Sequence, residues 1–299
     1  MKKGVYKSEK GLYKLKGPIK ILGISSSKRK SYECAREDPI NLFYLKLLLK
    51  ECEKYGAKTE LLDLHDLKIG VCKECYSSNP AQCRYHEKKF QCDCYPYKEE
   101  NLLINNDFIP MEKAYDLVPK KKFFEIYRKN SFGIMDDMHV VYKALMNSDG
   151  VVFSTFTCYY GRPALLQTMF SRLCALDGGV EELWGDGKNL NNSVKYSKNP
   201  NFMFKQRLYG KYCAFINVSK EGDSVTPNLM KACVMMGMKI LPLGVAYRVN
   251  WYNDKTHRSD FEKSKNDKYT LSLINYIAEE LVKEIKNSKR IYGICSKVV

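Results

Sequence analysis

Ile19-Lys-Ile-Leu-Gly-Ile24 runs straight into Ser25-Ser-Ser-Lys-Arg-Lys30. A short apolar run bounded by a polar, basic loop reads as a buried strand that ends in a connection. Asp38-Pro39 then offers an N-cap and a first-turn proline. Leu42, Leu45, Leu49 and Cys52 recur at helical spacing through Ile40–Tyr55. Gly56 ends that helix, and Lys58–Leu64 is a second strand. Strand, helix, strand is a βαβ unit, which implies a parallel sheet with right-handed crossovers.

The alternation resumes further along. Asp136–Asn147 carries a helical apolar face of Met138, Val141, Leu145 and Met146, and Gly150-Val-Val-Phe-Ser-Thr155 is a strand. Pro163–Leu176 is a helix, Tyr212–Val218 a strand, Pro227–Met238 a helix and Lys239–Val245 a strand. Leu271–Lys286 closes the chain as an amphipathic helix with Leu271, Ile274, Ile277, Leu281 and Ile285 on one side. Five strands alternating with helices predict a doubly wound α/β domain over residues 18–290, preceded by a basic tail at 1–17. Two excursions interrupt it: residues 68–133 after the second strand and the Gly/Asn-rich 178–206 after the third.

Fifty Lys and Arg against 34 Asp and Glu give a net charge of +16 over 299 residues. Such a surface attracts acidic partners, a protein electron carrier or nucleotide phosphates among them. No helix-turn-helix pattern or RNA-binding aromatic motif directs that charge toward nucleic acid. The first residues, Met-Lys-Lys-Gly-Val-Tyr-Lys, lack the apolar core of a secretory signal. The longest apolar runs are too short to span a bilayer. The chain is therefore expected in the cytosol, away from membranes, where thiols stay reduced.

In a doubly wound sheet, ligands bind beyond the carboxyl ends of the strands. Three loops are expected there: 25–31, 155–162 and 219–223. The first offers Ser25, Ser26, Ser27, Lys28, Arg29 and Ser31, hydroxyls and positive charge suited to a phosphate monoester. The second supplies Thr155, Thr157, Cys158, Tyr159, Tyr160 and Gly161, aromatic edges and a glycine where main chain can approach a ring closely. The third, with Ser219, Lys220, Glu221 and Gly222, is placed to touch the same ligand.

Five cysteines, Cys72, Cys75, Cys83, Cys92 and Cys94, fall at spacing C-x2-C-x7-C-x8-C-x-C in one polar segment. Three readings stand. Four of the thiolates could hold a [4Fe–4S] cluster, Cys72, Cys75 and Cys83 with either Cys92 or Cys94. The same residues could hold structural zinc, with His86 as a further donor. Or the segment is a loop of free thiols. Cys34, Cys52, Cys174, Cys213, Cys233 and Cys295 sit in apolar settings and read as core packing. His65, His139 and His257 read as structural or exposed.

These stretches together resemble the flavodoxin-like NADPH-dependent FMN reductases, and among them the iron–sulfur flavoproteins. Ile21-Leu-Gly-Ile-Ser-Ser-Ser-Lys-Arg29 is similar to the family's strand and Gly-Ser-x-Arg phosphate loop, with Ser26 where glycine is usual. Ala57–Leu67 resembles the second-strand signature leading into the cysteine loop. Asp149–Gly161 resembles the strand ending in a Thr-Pro-x-Tyr-x-Gly flavin loop, with the proline missing, and Leu165–Arg172 resembles the helix that follows. An insertion, Ser31–Asp38, separates the phosphate loop from its helix, and the cysteine spacing is wider than the family's C-x2-C-x2-C.

The resemblance implies a five-stranded flavodoxin-like sheet in order 2-1-3-4-5 and a bound FMN. Ser25, Ser27 and Arg29 would hold its phosphate, and Tyr159, Tyr160 and Gly161 would frame its ring. It implies an oxidoreductase passing electrons between NAD(P)H or ferredoxin and an acceptor, through FMN and an Fe–S cluster, in a homodimer or homotetramer. Flavin chemistry needs no catalytic side chain of the protein's own. The alternatives are an NAD(P)H:FMN or quinone reductase with zinc or no metal, and a non-enzymatic basic binding protein.

Overall fold

The computed structural model describes residues 17–27, 39–72, 74, 85–86, 91–92, 101–104, 107–110, 116–117, 119, 136–176, 207–219, 222–249, 252–253, 258–259 and 261–292. Five strands form one sheet: β1 (Lys20–Ser25), β2 (Lys58–Asp63), β3 (Gly150–Thr155), β4 (Tyr212–Ser219) and β5 (Lys239–Val249). The spatial order is β2-β1-β3-β4-β5 and every pair is parallel. This is the flavodoxin-like architecture, as the sequence leads one to expect.

Helices cover both faces. α1 (Ile40–Lys54) and α5 (Lys268–Tyr292) pack on one side, with Ile21, Val152, Ala214 and Ile216 beneath them. α2 (Met138–Asn147), α3 (Ala164–Arg172) and α4 (Val225–Met235) cover the other, over Leu22, Ile24, Val151, Phe153 and Phe215. Alternate residues of each strand thus feed two cores. β3, central in the sheet, is buried along its whole length, which is why its sequence is a continuous apolar run rather than an alternating one.

Local chemistry sets the ends. Gly56 takes a φ of 89°, and its N–H closes α1 on the Glu53 carbonyl at 2.9 Å; a left-handed residue after a helix favours glycine. At Gly23 an added Cβ would lie 2.8 Å from Leu49 Cδ1, so α1 packs close on β1 because glycine is there. The start of α1 departs from expectation. Pro39 itself is the N-cap, with no side-chain cap, so Asp38, which lies outside the described residues, is one position too early for that task. Similarly α4 begins two residues before Pro227, which its first turn tolerates because the missing N–H would have had no partner there. α3 tightens into a 3-10 turn at Leu173–Leu176.

β5 also differs. It runs to Val249 rather than stopping at Val245, and its register against β4 breaks between Cys213 and Phe215. Leu241–Gly244 is extruded there: Leu243 has a φ of 53° and is 73% exposed. A Cβ on Gly244 would lie 2.7 Å from the Leu241 carbonyl oxygen.

Of the first excursion, the described parts include two antiparallel pairs, Tyr85–His86 with Gln91–Cys92 and Asn101–Ile104 with Asp107–Pro110. The second excursion and the tail at 1–16 lie outside the described residues. Among the described residues no helix is long and apolar enough to cross a membrane.

Candidate functional site

The parallel register carries Ser25 of β1 beside Ser154 of β3, and Thr155 beside Asn217 of β4. The carboxyl ends of three strands therefore meet in one crevice. Ser25, Ser26 and Ser27 are all buried at its floor. Ser25 Oγ accepts from the Ser27 N–H at 3.2 Å and donates to the Ser27 carbonyl at 3.0 Å, a side-chain turn that shapes the loop from inside. Ser26 donates from N to the Ser154 carbonyl and from Oγ to Thr155 Oγ1, each at 3.0 Å. The Ser26 hydroxyl therefore holds the loop to β3, and that of Ser25 holds the loop to itself. Ser27 Oγ accepts from Asn41 Nδ2 at 2.6 Å.

Asn41 is the residue that sequence reading missed here. It lies in the first turn of α1, buried, and its carbonyl accepts from Ser154 Oγ at 2.9 Å. It pins the helix start to both the serine loop and β3. The first N–H groups of any helix lack partners within it, and α1 brings no acidic residue and no side-chain cap to its first turn. The loop and that helix start together offer donors without negative charge. Lys28, Arg29 and Ser31 lie outside the described residues.

The second loop is a tight hairpin. Cys158 and Gly161 exchange both backbone hydrogen bonds at 2.9 Å, and Tyr159 and Tyr160 between them have φ of 46° and 58°. Left-handed φ at both central positions is the signature of a type I′ turn, normally Asn-Gly. Tyr159 is 88% exposed and Tyr160 69%. Thr157 Oγ1 donates to the Gly222 carbonyl at 2.9 Å, and Ser224 Oγ to the Tyr160 carbonyl at 2.7 Å. Arg162, whose pKa is lowered by burial, donates to the Asn228 carbonyl at 2.6 Å and lies over the Phe170 ring. At Gly161 an added Cβ would meet nothing nearer than the Cys158 carbonyl oxygen at 3.7 Å, so the protein's own packing does not demand a glycine there. Replacing Tyr159 with Asn and Tyr160 with Gly together is expected to raise stability by about 1–2 kcal/mol, seen as a higher thermal midpoint, because the turn is then relieved of two left-handed tyrosines.

The third loop closes the crevice. Ser219 is buried, Gly222 has a φ of 88°, and Lys220 and Glu221 lie outside the described residues. Asn217 Nδ2 donates to Asp223 Oδ1 at 2.6 Å, and the same oxygen accepts from the Thr226 N–H at 2.9 Å. Asn217 and Asp223 were not singled out from the sequence. An amide at the carboxyl end of a strand, followed by an Asp three residues before the N–H it accepts from, is the signal that could have found them.

Of the five clustered cysteines, Cys72 and Cys92 are described, while Cys75, Cys83 and Cys94 lie outside the described residues. Among the described residues no three His, Cys, Asp or Glu converge as a metal site. Cys92 is buried, and Arg172 explains how. The Arg172 guanidinium donates to Asp136 Oδ2 at 2.5 Å, to the Gly70 carbonyl at 3.0 Å and to Cys92 Sγ at 3.1 Å. Tyr142 donates from its hydroxyl to the Arg172 carbonyl at 2.5 Å. Burial works against the guanidinium charge, yet the Cys92 sulfur, the Tyr142 hydroxyl and the Asp136 carboxylate hold its pKa above that of an ordinary arginine. α3 thus anchors the entry of the cysteine segment at Gly70 and its pair of strands at Cys92.

Cys52, Cys213 and Cys233 are buried as core residues, as expected, but Cys174 is exposed rather than packed. Cys34 and Cys295 lie outside the described residues. Burial pushes the Cys52 thiol up to about 12, and a hydrogen bond to Cys233, then burial, push Cys213 up as well. Peptide mapping after brief iodoacetamide treatment at neutral pH should therefore find Cys158 and Cys174 alkylated, and Cys52, Cys213 and Cys233 modified only after unfolding. His139 Nδ1 lies 2.8 Å from the Asp136 carbonyl and His65 beside Asp63, structural or exposed as read; His257 is outside the described residues.

No family model matches this chain and no curated protein matches it. Among solved structures it is similar to RosB with its bound intermediate, 8-demethyl-8-formylriboflavin-5′-phosphate, at a TM-score of 0.56 and 13% identity, over 92% of this chain and 81% of that one. It is also similar to a flavone reductase (TM-score 0.46, 14% identity, 91% of this chain and 64% of that one). A flavodoxin from the domain Archaea aligns at a TM-score of 0.39 and 8% identity, over 90% of this chain and 99% of that one. Likeness at these identities concerns the fold.

Proposed function

We propose that this chain is an FMN-dependent oxidoreductase that passes electrons between NAD(P)H or ferredoxin and an acceptor. The observation that carries the reading is the convergence of the three loops at the carboxyl ends of the strands: a buried serine loop, an α1 start free of acidic groups in its first turn, and second and third loops hydrogen-bonded to each other. RosB, which shares this fold, holds a riboflavin phosphate derivative, and that supports the choice of ligand. Ser27, steadied by Asn41, and the first N–H groups of α1 would receive the phosphate, with Arg29 as a further cation. Ser25 and Ser26 keep the loop in shape. The main chain of 155–161, with Gly161 open to close approach, and Gly222 would line the ring. Bound FMN accepts electrons in pairs or singly, and the chain's part is to hold it, orient it and limit water at its ring.

The cysteine segment is proposed to hold a [4Fe–4S] cluster, with zinc as its rival; a guanidinium donor on the Cys92 sulfur suits a thiolate ligand. The basic charge suits an acidic carrier protein in a cytosolic setting, and a homodimer or homotetramer would bring one subunit's cysteine segment toward another's crevice. An anaerobic spectrum with iron, sulfide and zinc content tests this. Flavin bands over broad iron–sulfur absorption, with about four iron and four sulfide per chain, bear it out. Flavin with zinc or without metal leaves a simple reductase, and protein that neither carries nor takes up flavin overturns the reading.

A further inference from the structure

We infer that Asn217 is a positioning residue for the ring end of the flavin, its amide setting the two ring-lining loops relative to each other; the inference rests on the flavin reading. The parallel register puts Asn217 of β4 beside Thr155 of β3, where the second and third loops leave the sheet. Its side chain is fully buried. Asn217 Nδ2 donates to Asp223 Oδ1 of the third loop at 2.6 Å and, at a longer 3.4 Å, to Thr157 Oγ1 of the second.

The protons run one way through this group. The Asp223 carboxylate cannot donate, so Nδ2 rather than Oδ1 must face it. Thr157 gives its own hydroxyl proton to the Gly222 carbonyl at 2.9 Å, so it accepts from Asn217. Asp223 Oδ1 also takes the Thr226 N–H at 2.9 Å, which ties the same carboxylate to the first turn of α4. Aspartate in place of Asn217 would have no proton to give and serine one; the amide has two, one for each loop.

The fold alone does not call for that amide. Asn217 Oδ1 is buried with no partner among the described residues, which counts against stability. Phe215, Ile216 and Val218 beside it on β4 are apolar and buried, and a leucine would suit such surroundings. What a leucine cannot do is hold two loops together. Asn217 also stands apart from the phosphate: β3 lies between its strand and β1, which carries the serine loop. Its effect therefore falls on the ring.

The test titrates flavin-free full-length chain with FMN and with riboflavin, read by flavin fluorescence, and records the thermal midpoint of each variant. Asn217→Leu is expected to weaken both flavins by the same factor, about tenfold. Its midpoint should stay within about 5 °C of the parent's. A residue that served only the fold would lower the midpoint and leave the affinities alone. Asn217→Asp sets two carboxylates face to face and should also weaken both flavins. Adding Asp223→Asn restores a donor and an acceptor there and should return both affinities to within about threefold of the parent's. If Asn217→Leu does not fold, this exchange decides. Unchanged affinities overturn the inference. So does FMN weakened with riboflavin spared, which would move Asn217 to the phosphate end, or an exchange variant no better than Asn217→Asp. A parent that binds neither flavin overturns the flavin reading and this inference with it; a parent that binds both, with variants that match it, overturns this inference alone.

Discussion

Arg172→Ala is expected to lower the unfolding free energy by about 3–5 kcal/mol, the cost of leaving a buried charge without its partner. The Arg172 side chain is 1% exposed and that of Asp136 10%. Without the guanidinium, the Asp136 carboxylate keeps, among the described residues, only backbone donors, Gly70 at 2.9 Å and Met138 at 3.3 Å. The Gly70 carbonyl and the Cys92 sulfur lose a donor in the same step. Urea denaturation of the full chain measures the loss. Pairing Arg172→Met with Asp136→Leu removes both charges and should recover much of it, since a buried ion pair is worth little over apolar groups of similar volume. A single-variant cost below about 1 kcal/mol, the range of exposed pairs, would mean that this cluster is not the anchor of the cysteine segment.

FMN is expected to bind at least about 100-fold more tightly than riboflavin, since two hydrogen bonds to a charged phosphate contribute about 1.5–3 kcal/mol each. The difference should shrink as salt rises, because the helix start and any basic side chain act on the phosphate through screened charge. Asn41→Leu, which frees Ser27 from its 2.6 Å donor, should weaken FMN about tenfold and leave riboflavin nearly unaffected. Fluorescence titration of the two flavins gives the ratio directly. Equal affinities would remove the phosphate from the Ser25–Ser27 loop and with it the orientation of the ligand.

The strands were legible because each is an apolar run ended by a polar loop; their alternation with helices implied a parallel sheet, and the resemblance implied its order. Gly56 and the 155–161 turn were legible because glycine and paired tyrosines stand out locally. What stayed hidden depends on contacts across the chain. Asn41 reads as one more polar residue of a helix until Ser27, 14 positions away, and Ser154, 113 away, close on it. Arg172 reads as a cation at a helix end. Its place three residues after buried Met169 puts it on the apolar stripe of α3, and that spacing was the clue that it turns inward. Ser25 and Ser26 were expected to face a phosphate, and their hydroxyls instead bond within the loop and to β3. A sequence shows that a hydroxyl is present, not which way it turns.

β5 is the outer strand of a parallel sheet, and an outer strand presents a row of backbone donors and acceptors to any other chain that can lie alongside it. The extruded Leu241–Gly244 interrupts that row near its middle. Lys239–Ile240 on one side and Val245–Val249 on the other are left as two short, offset runs. A neighbouring strand that fits one run cannot stay in register with the other. The protein thus protects this margin of its sheet against fibril-like growth with a kink in its own backbone.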